Sequence, residues 1–256
     1  MLTSAWSTVH GLRTHARVAG QAGPPVVLVH GVGVSGRYLE PLAEHLAPTR
    51  RAYVPDLPGF GRSQKPPRLL DVPGLAGHLA AWLRHAGLGP VPLVGNSLGC
   101  QVIVDLAVRH PDLVGRLVLI GPTTDPRAGN AILLLARGVI TLPHESPALY
   151  PILLTDYARA PLRAAATLQA GADDPFLAKL PRVRQPALVV RGTRDLIAPR
   201  RWVKSVAAAL PHGRWAEVPA AAHAAHFSEP GRVAELVQEF LDGDLRRGPD
   251  AQGVGP

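Results

Sequence analysis

The chain has 256 residues, of which 46% are hydrophobic and 18% charged, and it carries a formal net charge of +8. This length is enough to bury a sizeable core. A nucleic-acid-binding surface clusters its cations on one element beside aromatic side chains. Here the arginines are scattered and aromatic residues make up only 5%, so no nucleic-acid partner is expected.

The cysteine content and the lengths of the apolar runs indicate where in the cell the protein is expected. Cys100 is the only cysteine, which excludes an intrachain disulfide and a cysteine-based zinc site. The first twenty residues lack the apolar run behind a basic start that marks a secretory signal. The longest apolar stretches, 24–29 and 131–135, are far shorter than the ~20 residues that span a bilayer. We expect a soluble, cytoplasmic protein without stable membrane insertion.

Short β-rich runs alternate with helical patterns from residue 25 onward. The predicted strands are Val26–Val29, Ala52–Val54, Val91–Val94, Leu117–Ile120, Ala187–Val190 and Trp215–Val218. Most are almost continuously apolar, as expected where helices cover both faces of a parallel sheet. The segment Trp6–Val18, broken at His10 and Gly11, is predicted to be an antiparallel hairpin at the sheet edge. The alternation predicts an α/β fold with a mostly parallel sheet.

Apolar residues at helical spacing predict three helices around this sheet. Pro73 suits the first turn of the first helix and Gly87 its end. The three apolar faces are formed by Leu75, Leu79, Trp82 and Leu83, by Val102, Ile103, Leu106 and Ala107, and by Val233, Leu236, Val237, Phe240 and Leu241.

Residues 122–186 interrupt the alternation. They contain apolar helical pieces at 131–142 and 148–154, separated by prolines, and no predicted strand. This pattern indicates a helical insertion over one end of the sheet. The last residues are rich in Gly, Pro and charge, which is typical of disorder. The predicted organisation is a core of residues 1–121 and 187–242, a helical cap of residues 122–186 and a disordered tail of residues 243–256.

The sequence Gly95-Asn96-Ser97-Leu98-Gly99 lies between a predicted strand and a predicted helix. A serine on such a tight turn has a strained backbone and needs small residues two positions before and after it. The turn exposes the hydroxyl at the carboxyl end of the sheet, beside a helix N-terminus that favours developing negative charge. Ser97 is therefore predicted to be a nucleophile. Cys100 is predicted to be a packing residue.

A serine nucleophile needs a base, and the base needs an orienting acid. Asp195 and His223 each follow a later predicted strand, so both are expected at the carboxyl end of the sheet. Asp125, after the preceding strand, is an alternative acid. His226 is an alternative base, and otherwise a solvated residue or one at the edge of the pocket.

The chain order Ser97, Asp195, His223 resembles that of the α/β-hydrolase family. Four further sequences support the resemblance, which covers roughly residues 6 to 242. They are His30-Gly31-Val32-Gly33, similar to the oxyanion loop, Asp56-Leu57-Pro58-Gly59-Phe60-Gly61-Arg62-Ser63, similar to the D-x-P-G-x-G-x-S loop, Gly192-Thr193-Arg194-Asp195, similar to the acid loop, and His223 placed seven residues before Pro230. The resemblance favours Asp195 over Asp125 and His223 over His226. It implies an α/β-hydrolase fold, with a mostly parallel eight-stranded sheet, flanking helices and a helical cap.

The resemblance also implies a mechanism, acyl transfer to Ser97. His223 would act as general base and then general acid, and Asp195 would hold the imidazole. Backbone N–H groups of Val32 and Leu98 would form the oxyanion hole, and no metal or cofactor is needed. The residues expected to contact substrate are Gly31, Gly33, Asn96 and His226.

The expected reaction is hydrolysis of carboxylic esters of small to medium hydrophobic substrates. A serine at the turn argues against the family's dehalogenases and epoxide hydrolases, which carry aspartate there. The alternative is carbon–carbon bond hydrolysis of aromatic meta-cleavage products. Asn96 before the nucleophile is similar to that subfamily, whereas Ala224 and the lack of a Gly-Pro-Gly loop at 30–35 depart from it.

Two more alternatives stay open. One is a low-turnover ligand-binding protein on the same fold. The other is a membrane-surface lipase, which would require residues 131–142 to expose an apolar face instead of packing over the site. The sequence also leaves homo-oligomerisation open.

Several polar residues are predicted to have structural roles. His30 is predicted to be a buried turn residue, and Asp56 and Ser63 are predicted to stabilise their own loop. The four arginines of the cap are expected on solvated helix faces: Arg127, Arg137, Arg159 and Arg163. The remaining histidines are expected at the surface: His10, His15, His45, His78, His85, His110, His144 and His212.

Overall fold

A single sheet of eight strands organises the chain in the computed structural model, which describes residues 2–128 and 131–243. Its strands are β1 (Thr3–Val9), β2 (Leu12–Ala19), β3 (Pro25–Val29), β4 (Arg51–Pro55), β5 (Val91–Asn96), β6 (Val114–Ile120), β7 (Ala187–Gly192) and β8 (Gly213–Val218). Their order in the sheet is β1-β2-β4-β3-β5-β6-β7-β8. The predicted hairpin β1–β2 is antiparallel, β2 pairs antiparallel with β4, and the other pairs are parallel. The predicted fold class is confirmed.

Helices pack on both faces of the sheet. They are α1 (Glu40–Leu46), α2 (Val72–His85), α3 (Leu98–Arg109), α4 (Ala131–Thr141), α5 (Tyr150–Arg159), α6 (Pro161–Ala172), α7 (Phe176–Lys179), α8 (Arg200–Ala209), α9 (Ala225–Ser228) and α10 (Pro230–Asp242). The start of α2 follows from its sequence, because the Asp71 side chain accepts a hydrogen bond of 2.8 Å from Gly74 N and Pro73 occupies the first turn.

Alternate residues of the central strands pack in two separate hydrophobic layers, one on each face of the sheet. On β3, Val27 and Val29 pack in the layer that contains α2, α3 and α8, while Val26 and Leu28 pack in the layer with α1 and α10. Both faces are therefore covered, which explains the continuous apolar runs in the sequence. Within the described residues, no helix has the length and apolar character needed to cross a bilayer.

Residues 122–186, called here the β6–β7 segment, connect those two strands and carry α4 to α7. The division of the chain into a core and a cap remains a prediction. Gly243, at the start of the predicted tail, ends α10 in a left-handed conformation, with φ of 90°. The rest of that tail, 244–256, lies outside the described residues.

Candidate active site

Ser97 occupies the turn between β5 and α3, with φ of 56° and ψ of −121°. This conformation is costly for a residue with a side chain. It is held by close packing, because a Cβ on Gly95 would lie 2.6 Å from the carbonyl carbon of Gly99, and a Cβ on Gly99 would overlap the carbonyl oxygen of Val29. The predicted need for small residues on both sides of the serine is therefore confirmed.

Asp195 and His223 meet at the carboxyl end of the sheet. Asp195 follows β7, His223 follows β8, and Asp195 Oδ2 lies 3.0 Å from His223 Nδ1. The other carboxylate oxygen, Oδ1, accepts hydrogen bonds of 2.8 Å and 2.9 Å from the backbone N–H groups of Ile197 and Ala198. The Asp195 side chain is fully buried, whereas that of His223 is 14% exposed. The acid is thus fixed by its own loop, and the imidazole reaches the surface of the site.

Burial and charge oppose each other in this pair. Burial acts to raise the pKa of Asp195, but the charge and hydrogen bond of His223, with two backbone N–H groups, hold it below its ordinary value. Burial acts to lower the pKa of His223, but the charge and hydrogen bond of Asp195, with the charge of Glu145, raise it above its ordinary value. The pair therefore stabilises a protonated imidazole, and in the neutral form it leaves Nε2 as the acceptor.

The alternative acid and the alternative base lie in other surroundings. Asp125 is buried, and its Oδ2 lies 2.9 Å from Arg201 Nη2 and 3.5 Å from Arg137 Nη1. His226 is 0% exposed, so the expected solvated or pocket-edge position is wrong. Its ring packs edge-on against Tyr38, with 4.5 Å between centroids, and burial lowers its pKa to about 3. His226 is therefore neutral and apolar in its packing.

Asn96 joins the serine turn to the histidine loop. Its amide nitrogen donates hydrogen bonds of 3.1 Å to the Ile120 carbonyl and 3.3 Å to the His223 carbonyl. Its amide oxygen accepts a bond of 2.6 Å from the Tyr38 hydroxyl, which in turn accepts one of 2.8 Å from Gly31 N. Asn96 is only 1% exposed. Its amide therefore connects parts of the site, in a role that differs from the expected substrate contact.

The loop after β3 lies against the serine. A Cβ on Gly31 would stand 3.0 Å from Ser97 Cβ. Leu98 is the first residue of α3, so its N–H has no acceptor within the helix. Val32 accepts a hydrogen bond of 3.0 Å at its carbonyl from the Tyr157 hydroxyl, and the Tyr157 ring also lies against Gly33. The two predicted oxyanion donors thus belong to the loop after β3 and to the first turn of α3, on either side of Ser97, and their role remains a prediction.

Glu145 of the β6–β7 segment also reaches this site, and no motif in the sequence indicates this contact. Its Oε1 accepts a hydrogen bond of 3.0 Å from Ala224 N, directly after His223. Its Oε2 is buried and has no hydrogen-bond partner among the described residues. Burial raises the pKa of Glu145, against the opposing charge of His223. A carboxyl group from a distant part of the chain therefore contributes to the field around the imidazole.

A buried polar network supports the loop after β4. Asp56 accepts hydrogen bonds of 2.9 Å from His15, 2.8 Å from Arg17 and 2.7 Å from Gly36 N. Ser63 Oγ donates a bond of 2.7 Å to the Asp56 carbonyl. The predicted structural roles of Asp56 and Ser63 are therefore confirmed.

Other polar side chains test the remaining structural predictions. His30 is buried as predicted, and its Nε2 accepts a bond of 2.8 Å from Leu57 N. The expected surface positions of His15 and His78 are wrong. His15 is 0% exposed, and His78 is buried beside Thr14, 2.9 Å from its hydroxyl. Both imidazoles have a polar partner inside the protein, which allows their burial.

Two further predictions concern a thiol and metal ions. Cys100 is buried, and its Sγ lies 3.2 Å from the Gly95 carbonyl oxygen, as expected of a packing residue. Burial raises the pKa of its thiol. Across the described residues, no three His, Cys, Asp or Glu side chains lie close enough together to hold a metal ion.

A cleft of about 660 Å³ is lined by residues that include His10, Leu70 and Arg84. Ser97, Asp195 and His223 are not among its lining residues.

Known proteins resemble this chain over most of its length. The pimeloyl-[acyl-carrier protein] methyl ester esterase of Aromatoleum aromaticum is 30% identical over 86% of this chain and 99% of its own. The 2-hydroxymuconate semialdehyde hydrolase of Pseudomonas putida is 28% identical over 90% and 91%. The solved structure of a thermophilic esterase from Thermogutta terrifontis superposes with a TM-score of 0.80 at 26% identity, covering 95% of this chain and all of that one.

The family assignment follows from the fold, the serine turn and these likenesses together. Residues 26–236 match the family described as the alpha/beta hydrolase family. The relatives and the solved structure above are named as two esterases and a 2-hydroxymuconate semialdehyde hydrolase. The chain belongs to the alpha/beta hydrolase family.

Proposed function

We propose that the chain is a serine hydrolase that cleaves carboxylic esters of small to medium hydrophobic substrates. The observation that carries the proposal is the 3.0 Å hydrogen bond between Asp195 and His223, at the same end of the sheet as the strained serine turn. This bond leaves Nε2 of the neutral imidazole available to accept a proton. The likeness to esterases supports an ester as substrate.

In the proposed reaction, His223 takes the proton of Ser97 Oγ as that oxygen attacks the ester carbonyl carbon. His223 then donates a proton to the departing alcohol, which leaves an acyl-enzyme on Ser97. Water attacks the acyl-enzyme with His223 again as base, which releases the carboxylic acid and restores Ser97. The N–H groups of Val32 and Leu98 hold the oxyanion, and losing one such donor typically costs ~3–4 kcal/mol of transition-state stabilisation.

The β6–β7 segment acts as the cap in this proposal. Three of its side chains support the assignment because they bond to loops at the carboxyl end of the sheet. Glu145 accepts from Ala224 N, Tyr157 donates to the Val32 carbonyl, and Asp156 accepts from Ser35 N at 2.9 Å. A segment held in this way limits water around the acyl-enzyme and shapes the acyl pocket.

Hydrolysis of p-nitrophenyl esters of increasing acyl length tests the proposal. Wild type is compared with Ser97→Ala and with Cys100→Ala, which removes the nearby thiol. We expect turnover by wild type and Cys100→Ala and none above background by Ser97→Ala, with the best acyl length reporting the depth of the pocket. Absence of turnover on every ester, or full activity of Ser97→Ala, contradicts the proposal.

Carbon–carbon bond hydrolysis is the second candidate. It is supported by the likeness to the 2-hydroxymuconate semialdehyde hydrolase over 90% of this chain. Ala224 after His223 departs from the usual tryptophan of that subfamily. A coloured dienoate from aromatic ring cleavage separates the candidates, since a carbon–carbon hydrolase removes its visible absorption. A protein that binds these ligands without turning over either class would instead be a binding protein on the same fold.

A further inference from the structure

Helix α4 turns its apolar side chains away from the protein. Ile132, Leu135 and Val139 are 78%, 58% and 57% exposed, and their spacing of three and four residues places them on one helical face. The only charged residue of the helix, Arg137, is 19% exposed and lies 3.5 Å from the buried carboxylate of Asp125. An ordinary surface helix has the reverse arrangement, with apolar residues inward and charges outward.

Neighbouring helices also expose large apolar side chains. Both α4 and α5 pack against α6. Leu154 on α5 is 72% exposed and Leu162 on α6 is 85% exposed. Single exposed apolar residues are common on protein surfaces, but a group of large ones on adjacent helices marks an interaction site. We call the side chains of Ile132, Leu135, Val139, Leu154 and Leu162 the apolar face.

In residues 126–172, which carry the apolar face, the exposed charged side chains are cationic. Between residues 126 and 172 the sequence contains two carboxylates, Glu145 and Asp156, and both are buried. Arg127 and Arg159 of the same stretch are exposed. Arg201 is also nearby, since it pairs with the Asp125 carboxylate that Arg137 contacts, and its side chain is 49% exposed. The part of this stretch that the structure describes thus offers solvent apolar and cationic groups, with its carboxylates turned inward.

We propose that the apolar face is a docking surface for an anionic lipid bilayer. Its large apolar side chains would enter the boundary between head groups and acyl chains, while Arg127 and Arg159 would lie at the level of the lipid phosphates. Helix α4 has 11 residues, about 16 Å at 1.5 Å per residue, so it lies on the bilayer and does not cross it.

Charge favours this occupant over a second copy of the chain. A dimer through the apolar face would bring two cationic surfaces together, on protomers that each carry a formal charge of +8. An anionic bilayer instead neutralises the arginines and buries the apolar side chains at once. Docking of this kind does not depend on the proposed ester hydrolysis.

Co-sedimentation with lipid vesicles tests the proposal. The vesicles are pure phosphatidylcholine or equal parts of phosphatidylcholine and phosphatidylglycerol, at low and at high salt. We expect wild type to bind the anionic vesicles more tightly, and high salt to weaken that binding. The double variant Ile132→Ser/Val139→Ser should lower the partition coefficient roughly tenfold or more, because two large apolar side chains no longer enter the bilayer.

Three further variants are compared with wild type in the same experiment. Leu177→Ser removes an apolar side chain that is 42% exposed on α7, outside the apolar face, and should bind as wild type does. Arg127→Gln/Arg159→Gln should lose the preference for anionic vesicles. Ser97→Ala should bind fully, which separates docking from catalysis. Circular dichroism confirms that each variant is folded.

Three results would overturn the proposal. The first is the absence of wild-type binding to anionic vesicles. The second is equal binding by wild type and Ile132→Ser/Val139→Ser. The third is a concentration-dependent dimer, seen by analytical ultracentrifugation, that the same double variant abolishes while vesicles bind neither protein. The third result would assign the apolar face to a second copy of the chain.

Discussion

The central sheet and the β6–β7 segment distribute their apolar side chains in opposite ways. On the sheet, Leu28, Leu93 and Val118 are completely buried, whereas on the segment Ile132 and Leu162 are at least 78% exposed. Three carboxylates of the segment are arranged inversely, since those of Asp125, Glu145 and Asp156 are buried. Apolar packing therefore holds the sheet together, while polar contacts hold much of the segment to it.

These polar contacts differ from core packing in what they cost to break. Asp156 Oδ2 accepts a bond of 2.6 Å from Ser35 Oγ, and Gln101 donates one of 2.8 Å to the Gly171 carbonyl. A hydrogen bond contributes only ~0.5–1.5 kcal/mol net, because water replaces the partner when the bond opens. Local opening of the segment should therefore need less free energy than unfolding of the sheet.

The largest expected effect is on kcat/KM, and it distinguishes two buried aspartates. Asp195 lies at the carboxyl end of the sheet, and Asp125 lies at the start of the β6–β7 segment. Asp195→Asn should lower kcat/KM by about 10⁴-fold, because an amide that donates to Nδ1 imposes the wrong imidazole tautomer. Asp125→Asn should lower it less than about tenfold, since Asp125 pairs with Arg137 and Arg201. Both values are measured with the best p-nitrophenyl ester, and a larger loss in Asp125→Asn means that the acid has been misassigned.

The next effect concerns stability and uses the same substitution in both regions. Leu93→Ala removes a fully buried side chain from β5 and should lower the free energy of unfolding by ~2–5 kcal/mol. Leu135→Ala, at a side chain that is 58% exposed on α4, should change it by less than about 0.5 kcal/mol. Urea denaturation measures both. Similar losses in the two variants would mean that Leu135 is packed and that the contrast between the regions fails.

A smaller effect appears when the pH falls. His226 has a pKa of about 3 in the folded protein, whereas an unfolded histidine titrates near 6.5. The unfolded state therefore binds the extra proton between these values, and stability is full above pH 6.5 and declines below it. At ~1.4 kcal/mol per pH unit, the loss from His226 reaches about 2 kcal/mol at pH 5.

A pair of variants isolates this contribution. His226→Leu should flatten the dependence of unfolding free energy on pH between 6.5 and 5. His144→Leu, at an exposed histidine of the β6–β7 segment, should leave it unchanged. His78, whose pKa burial lowers to about 4, acts in the same direction in all three proteins and cancels in the comparison. An unchanged slope in His226→Leu would show that this imidazole is hydrated.

The contrast between the regions also explains what the sequence could predict. The five strands β3 to β7, which lie inside the sheet, can be predicted because a strand buried on both faces is continuously apolar and can be recognised locally. The edge strand β8 is also predicted, although it is only partly buried. The tight turn at Ser97 can be predicted because strain and small neighbours are local features too. Asp195 and His223 could be placed together since parallel strands bring their carboxyl ends to one edge.

Features that depend on distant partners were missed. The burial of His15 needs Asp56, and the contact of Glu145 with Ala224 N joins residues 79 positions apart. Tyr38 connects Gly31 to Asn96 without any motif of its own. For α4, the periodicity predicted a helix with an apolar face, but the direction of that face depends on tertiary packing, which periodicity does not report.

The smallest expected effect lies where the two regions touch, at Glu145. Glutamine at this position keeps an oxygen that can accept from Ala224 N but removes the charge that raises the pKa of His223. The proposed reaction needs His223 unprotonated, so kcat/KM falls as pH drops through the His223 pKa. A lower His223 pKa in Glu145→Gln should move this decline to lower pH, with little change in the rate at high pH. Measured pH profiles of kcat/KM for wild type and Glu145→Gln test this shift.

Glu145→Ala distinguishes the charge from the hydrogen bond. It should move the acid limb of the profile in the same direction, but it also leaves Ala224 N without its partner, which costs ~1–3 kcal/mol when the group stays buried. The alanine variant should therefore lower both stability and the rate at high pH, whereas the glutamine variant should preserve them. An acid limb that glutamine leaves in place would mean that Glu145 is already protonated there. Its carboxyl would then position the loop of His223 without setting its charge.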